Sequence, residues 1–166
     1  MRLFVGIKSS KNIMDGILKW QEKNKDLGVR FIKSENLHVT LIPPWYAEGP
    51  QNSLSKLRKL NSELKPFEMT FDRIDVNFKN KVIWIESEVV PDEIIKLQKD
   101  LSNLFQDVHK ENGRKFRPHI TIARFKEGEL LGDASFKKLN LSQRVSKITL
   151  FESKLGPKGA NYKELN

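Results

Sequence analysis

Apolar and polar positions along this chain alternate with two periods, and the switches between them mark its elements. Arg2 to Ile7 reads as a first strand. Ser10 is placed to cap a helix over 11–26, with Ile13, Ile17 and Trp20 on one face and Gly28 as the stop. A strand at 29–33, a turn at Ser34–Asn36 and a strand at 37–42 follow, the last ended by Pro43–Pro44. Leu54, Leu57, Leu60 and Leu64 mark a second amphipathic helix at 53–65. Phe67, Met69 and Phe71 alternate with polar residues, and so do Ile74, Val76 and Phe78 on the other parity, which calls for a bulge near Asp72–Arg73. Lys79–Asn80 turns the chain into a strand at 81–87. Pro91, Asp92 and Glu93 open a helix over 91–109, with Ile94, Leu97, Leu101, Leu104 and Val108 in phase and Gly113 beyond it. A strand at 118–123, a loop rich in glycine and lysine, and a late strand at 144–151 complete the run, with Tyr162 on a final edge.

This order predicts an α+β fold with antiparallel sheets, in a single domain spanning 1–166. GVRFIKSENLHVTL and GRKFRPHITI form a coarse repeat, which suggests two related lobes, each giving one strand of the same kind.

Composition narrows the chemistry. The chain has no cysteine, which excludes thiol catalysis, zinc–thiolate sites and a disulfide framework. No uninterrupted apolar run approaches membrane-spanning length, and MRLFVGIKSS reads as a strand rather than a signal peptide, so a soluble cytoplasmic protein is expected. A formal net charge of +9 favours polyanionic partners. The excess is uneven: within 110–126, Lys110, Arg114, Lys115, Arg117, Arg124 and Lys126 face only Glu111.

Two strands carry the candidate chemistry. NLHVTLI places His38 and Thr40 on one face with Val39 and Leu41 behind them, and RPHITIAR does the same with His119 and Thr121 over Ile120 and Ile122. Brought together, one neutral and one protonated imidazole can divide base and acid duties near neutral pH. The threonine hydroxyls can donate to phosphate oxygens whose charge must be held in the transition state. That apparatus suits cleavage of a phosphodiester without a metal, and neither motif contains an Asp or Glu to complete a metal site. One His-x-Thr in a sheet is commonplace; two copies among only three histidines are not. His109, at the end of the third helix, reads as a complement to the helix dipole.

LHVTL, FRPHITIAR, the opening RLFVGI and the late ITLFESKL with GANY resemble, in order and over essentially the whole chain, the LigT-like branch of the 2H phosphoesterases. These are RNA 2′,3′-cyclic phosphodiesterases, also called 2′–5′ RNA ligases. The resemblance implies a bilobal, pseudo-symmetric fold in which two antiparallel sheets form a central groove with helices outside. It implies hydrolysis of 2′,3′-cyclic phosphate ends to 2′-phosphate, with 2′–5′ ligation as a related activity and no metal or other cofactor. His38 would donate a proton to the leaving 3′-oxygen, His119 would activate water, and Thr40 and Thr121 would hold the phosphate. Expected partners are RNA ends or a nucleotide bearing a cyclic phosphate, with no membrane, no obligate protein partner and a monomeric chain. A non-catalytic RNA-end binder on this scaffold, or an enzyme acting on 2′–5′-linked oligonucleotides, are the competing readings.

Arg117 shares strand parity with His119 and Arg124 does not, although the family's run favours Arg124; each is either a phosphate contact or surface charge. Phe4 offers a face for base stacking or belongs to the core. Where the family continues its first motif with a KFLG-like turn, this chain has IPPWY, whose Trp45 and Tyr46 either stack on bases or cover the lobe junction.

Overall fold

A computed structural model describes residues 1–109, 115–128, 138–157 and 159–165. Its strands are β1 (Arg2–Lys8), β2 (Arg30–Phe31), β3 (His38–Tyr46), β4 (Phe67–Phe71), β5 (Arg73–Asn77), β6 (Val82–Glu86), β7 (His119–Arg124), β8 (Leu141–Val145), β9 (Thr149–Gly156) and β10 (Gly159–Leu165). Three helices accompany them: α1 (Lys11–Lys23), α2 (Gln51–Glu63) and α3 (Asp92–Leu104). Gly113, and with it Lys110 and Arg114 of the basic run, lies outside the described residues.

Eight strands form one sheet in the order β10-β9-β1-β3-β7-β6-β5, with β2 beside β7, and β4 pairs with β8 in a second, two-stranded sheet. Every pairing is antiparallel. The motif strands β3 and β7 are therefore neighbours in the middle of the large sheet, where the two halves of the chain meet. On its inner face Leu3, Val5, Val39, Leu41, Ile83, Ile85, Ile120 and Ile122 join the core, together with Ile13, Ile17, Leu57 and Leu101 from the helices.

Local chemistry accounts for the element ends. Ser10 caps α1 by accepting from the backbone N–H of Ile13, and the helix stops at Asn24 rather than at Gly28. Asp92 and Glu93 occupy the first turn of α3, where they complement the helix dipole, but α3 ends at Leu104, so Val108 and His109 lie beyond it. The parity change at Asp72 is not a bulge: β4 and β5 part there and join different sheets. The late strand expected at 144–151 is two, β8 and β9. No helix among the described residues is long and apolar enough to cross a membrane.

Candidate active site

Val39 stands across from Ile120 in the antiparallel pair β3–β7. This register sets His38 opposite Thr121 and Thr40 opposite His119, with all four on the solvent-facing side. The two imidazoles lie on a diagonal of that square, and diagonal neighbours in such a ladder are about 7–8 Å apart, their Cβ atoms somewhat closer. A phosphate group fits between them.

Each imidazole is oriented in the same way. His38 Nδ1 lies 2.7 Å from the carbonyl oxygen of Asn36, and His119 Nδ1 lies 2.8 Å from that of Arg117. A carbonyl only accepts, so Nδ1 carries the proton in both rings and Nε2 is the atom free for chemistry. Nε2 of His38 is 3.1 Å from Thr40 Oγ1. The carbonyl of the residue two before each histidine thus sets its tautomer. Asn36 is itself fixed by the chain's last strand: its side chain donates to Ala160 O at 2.8 Å and accepts from Tyr162 N–H at 3.2 Å.

Different neighbours surround the two rings. Phe4 tilts against His38 at 4.8 Å, Tyr162 meets it edge-on at 5.0 Å, and Phe151 stacks on Phe4. Phe4 is 2 % exposed, so it holds the imidazole in place and has no free face for a base. His119 packs on Trp84 at 4.5 Å. Across from it on β6 stands Glu86, a buried carboxylate gripped by Arg73 and by Arg117 Nη2 at 2.7 and 2.8 Å. Arg117 is thereby committed to a protein carboxylate rather than offered to a phosphate.

Burial lowers the proton affinity of both histidines below the usual value of about 6.5. For His38 the bond to Asn36 opposes this and the charge of His119 adds to it. For His119 the bond to Arg117 and the charge of Glu86 oppose it, while the Arg117 charge adds to it. The form with one ring protonated and one neutral is then most abundant on the acid side of pH 6.5. A bell-shaped kcat/KM profile should peak there, and a peak above about pH 7.5 would contradict this electrostatic account. Because the folded values are lowered, their contribution to stability is fully present above about pH 6.5 and is lost as pH falls towards the folded values.

Arg124 reaches the site through an irregularity. Ile83 pairs with Ala123 and Trp84 with Thr121, so Ile122 has no opposite number and β7 is bulged there. Ile122 and Ala123 both face the core, parity resets, and Arg124 joins His38, Thr40, Thr121, Arg2 and Pro44 around one cavity of about 260 Å³. The bulge is pinned at the carbonyl of Ile122, which accepts from Ile32 N–H at 3.0 Å and from buried Gln21 Nε2 at 3.1 Å.

IPPWY behaves otherwise than expected. The prolines do not end the strand. Between Thr40 and Trp45 the partner on β1 moves only from Gly6 to Leu3, so β3 is irregular at Leu41 and again at Pro43–Pro44, which have no N–H to lose, and runs on to Tyr46. Trp45 is turned to the inner side, 8 % exposed and 5.4 Å from the Phe105 ring, and is a core residue rather than a base-stacking one. Tyr46 is 78 % exposed opposite Arg2 but does not line the cavity. Asn36, Gln21 and Glu86 carried no signal in the sequence, since their partners lie 11 to 126 residues away.

The model of the 2′–5′ RNA ligase superfamily matches residues 15–156. An RNA 2′,3′-cyclic phosphodiesterase of Methanocaldococcus jannaschii is 28 % identical over 172 residues, covering 98 % of this chain and 96 % of that one. Among solved structures, a Thermus thermophilus protein superposes with a TM-score of 0.83 at 23 % identity, covering 100 % of this chain and 96 % of its own. Escherichia coli LigT, in complex with 3′-AMP, superposes with a TM-score of 0.79 at 24 % identity, covering 99 % and 95 %. At such identities these likenesses speak for the fold.

Proposed function

This chain belongs to the 2′–5′ RNA ligase superfamily, and from that premise we propose that it hydrolyses 2′,3′-cyclic phosphate ends of RNA to 2′-phosphate ends. The observation that carries the proposal is the paired imidazoles, each with Nδ1 tied to the carbonyl two residues before it and Nε2 left for proton transfer. Relatives named RNA 2′,3′-cyclic phosphodiesterase, matched over nearly their whole length, support the substrate class.

Neutral His119 Nε2 takes a proton from water as the oxygen attacks phosphorus. The bond from phosphorus to the 3′-oxygen breaks, and protonated His38 delivers its Nε2 proton to that oxygen. Thr40 and Thr121 donate hydroxyl hydrogen bonds to the non-bridging oxygens, and Arg124 adds charge from the strand end. The diagonal arrangement of the two rings supports this reading, because an in-line displacement requires acid and base on opposite sides of phosphorus. After one turnover the protonation states are exchanged, and solvent resets them.

Incubation with EDTA and an RNA ending in a 2′,3′-cyclic phosphate tests this reading. Full turnover to a 2′-phosphate is the expected result. A 3′-phosphate product would reverse the acid and base assignment, and binding without any product would overturn hydrolysis.

A further inference from the structure

Beyond the reacting end, the groove continues. The cavity that holds His38, Thr40 and Thr121 shares Arg2, Ile32, Asn36, Arg124 and Tyr162 with a larger one of about 770 Å³, which runs towards the β9–β10 hairpin. Arg30 and Lys33 line this extension, and Leu155, 69 % exposed, stands at its far end with Pro157. No aspartate or glutamate lines either part among the described residues.

Two further features set basic groups along the extension. Arg30 and Arg124 are direct cross-strand partners in β2–β7, which sets two guanidinium-bearing residues beside each other along the wall of the extension. The second feature is that Nη1 of Arg30 lies against Gly159, whose φ of +115° itself favours glycine. The guanidinium is thereby placed at the hairpin, on the wall of the extension.

We infer that Arg30 and Lys33 form a binding site for the phosphodiester immediately upstream of the reacting end of an RNA strand, with Arg124 standing between it and the catalytic pocket. The inference rests on the proposed activity for its direction, since the cyclic phosphate occupies the histidine end. The preferred substrate is then an oligonucleotide rather than a cyclic mononucleotide. Leu155 and Pro157 supply apolar surface for the next base without reading its identity.

Binding measured without turnover separates this inference from the catalytic one. Fluorescence anisotropy compares an RNA trinucleotide ending in a 2′-phosphate with the corresponding mononucleotide across a salt series. The wild-type chain should bind the trinucleotide at least about tenfold more tightly. Arg30→Ala should reduce that preference about tenfold, and the slope of log affinity against log salt should fall by about 0.7, one single-strand phosphate contact. Arg30→Lys should restore the slope but only part of the preference, because lysine lacks the planar fork. Unfolding midpoints of both variants are measured alongside, so that any loss of stability is separated from the change in preference and slope. Equal wild-type affinities for the two ligands, or an unaltered slope in Arg30→Ala, would overturn the site. Loss of cyclic-phosphate hydrolysis with the Arg30 effect intact would sink the catalytic proposal alone.

Discussion

Replacing His119 by alanine is expected to lower turnover of RNA 2′,3′-cyclic phosphate at least about 10²-fold, and up to about 10⁴-fold, while the fold is retained. His38→Ala should do the same. Both side chains stand on the solvent-facing side of the sheet, with their strands held from behind by buried Val39 and Ile120, so truncation removes the proton-transfer group without opening the core. The double variant should be scarcely worse than either single one, because acid and base act in the same step and losing one makes the other idle. Rates measured for the three variants, with unfolding midpoints alongside, check this. Wild-type turnover in His119→Ala would end the proposed mechanism, and multiplicative losses would mean that the histidines act in separate steps.

The second large effect lies outside the groove. Trp45→Ala should cost about 3–5 kcal/mol of stability, the range for emptying a large buried aromatic site. Tyr46→Ala should stay within about 0.5 kcal/mol. The contrast follows from side-chain direction: Trp45 meets Phe105 behind the sheet, and Tyr46 points into water. Denaturant unfolding of the two variants measures it. A Trp45 variant of native stability with weakened RNA binding would return this tryptophan to the groove.

Much of the candidate site's geometry was legible because it depends on a period of two and on nothing else. His38 with Thr40, and His119 with Thr121, share a face whatever the strands pair with. What the sequence did not reveal lies wherever that period breaks. Parity placed Arg117 in the groove and Arg124 out of it; the bulge at Ile122 admits Arg124, and buried Glu86 claims Arg117. Proline normally ends a strand, yet β3 absorbs Pro43 and Pro44 in register irregularities that only its pairing with β1 exposes. Phase changes are equally ambiguous: at Asp72 the same signal that suggested a bulge marks the exchange of one sheet for another. The helices were located by their apolar faces but read two to five residues too far at their C-terminal ends. Phe105 has left the helical path while remaining buried, and burial alone keeps the apolar rhythm going there.

The central position of β3 and β7, flanked by β1 and β6, has a consequence for how such a protein can change. Interior strands of a sheet open last, whereas rims and hairpins fluctuate and tolerate exchange. On the proposed mechanism, proton transfer is therefore anchored to interior strands. The β9–β10 hairpin, where the proposed upstream site lies, belongs to the sheet's more replaceable margin. A lineage could then retune what the groove admits many times over without disturbing the proposed reaction at its floor.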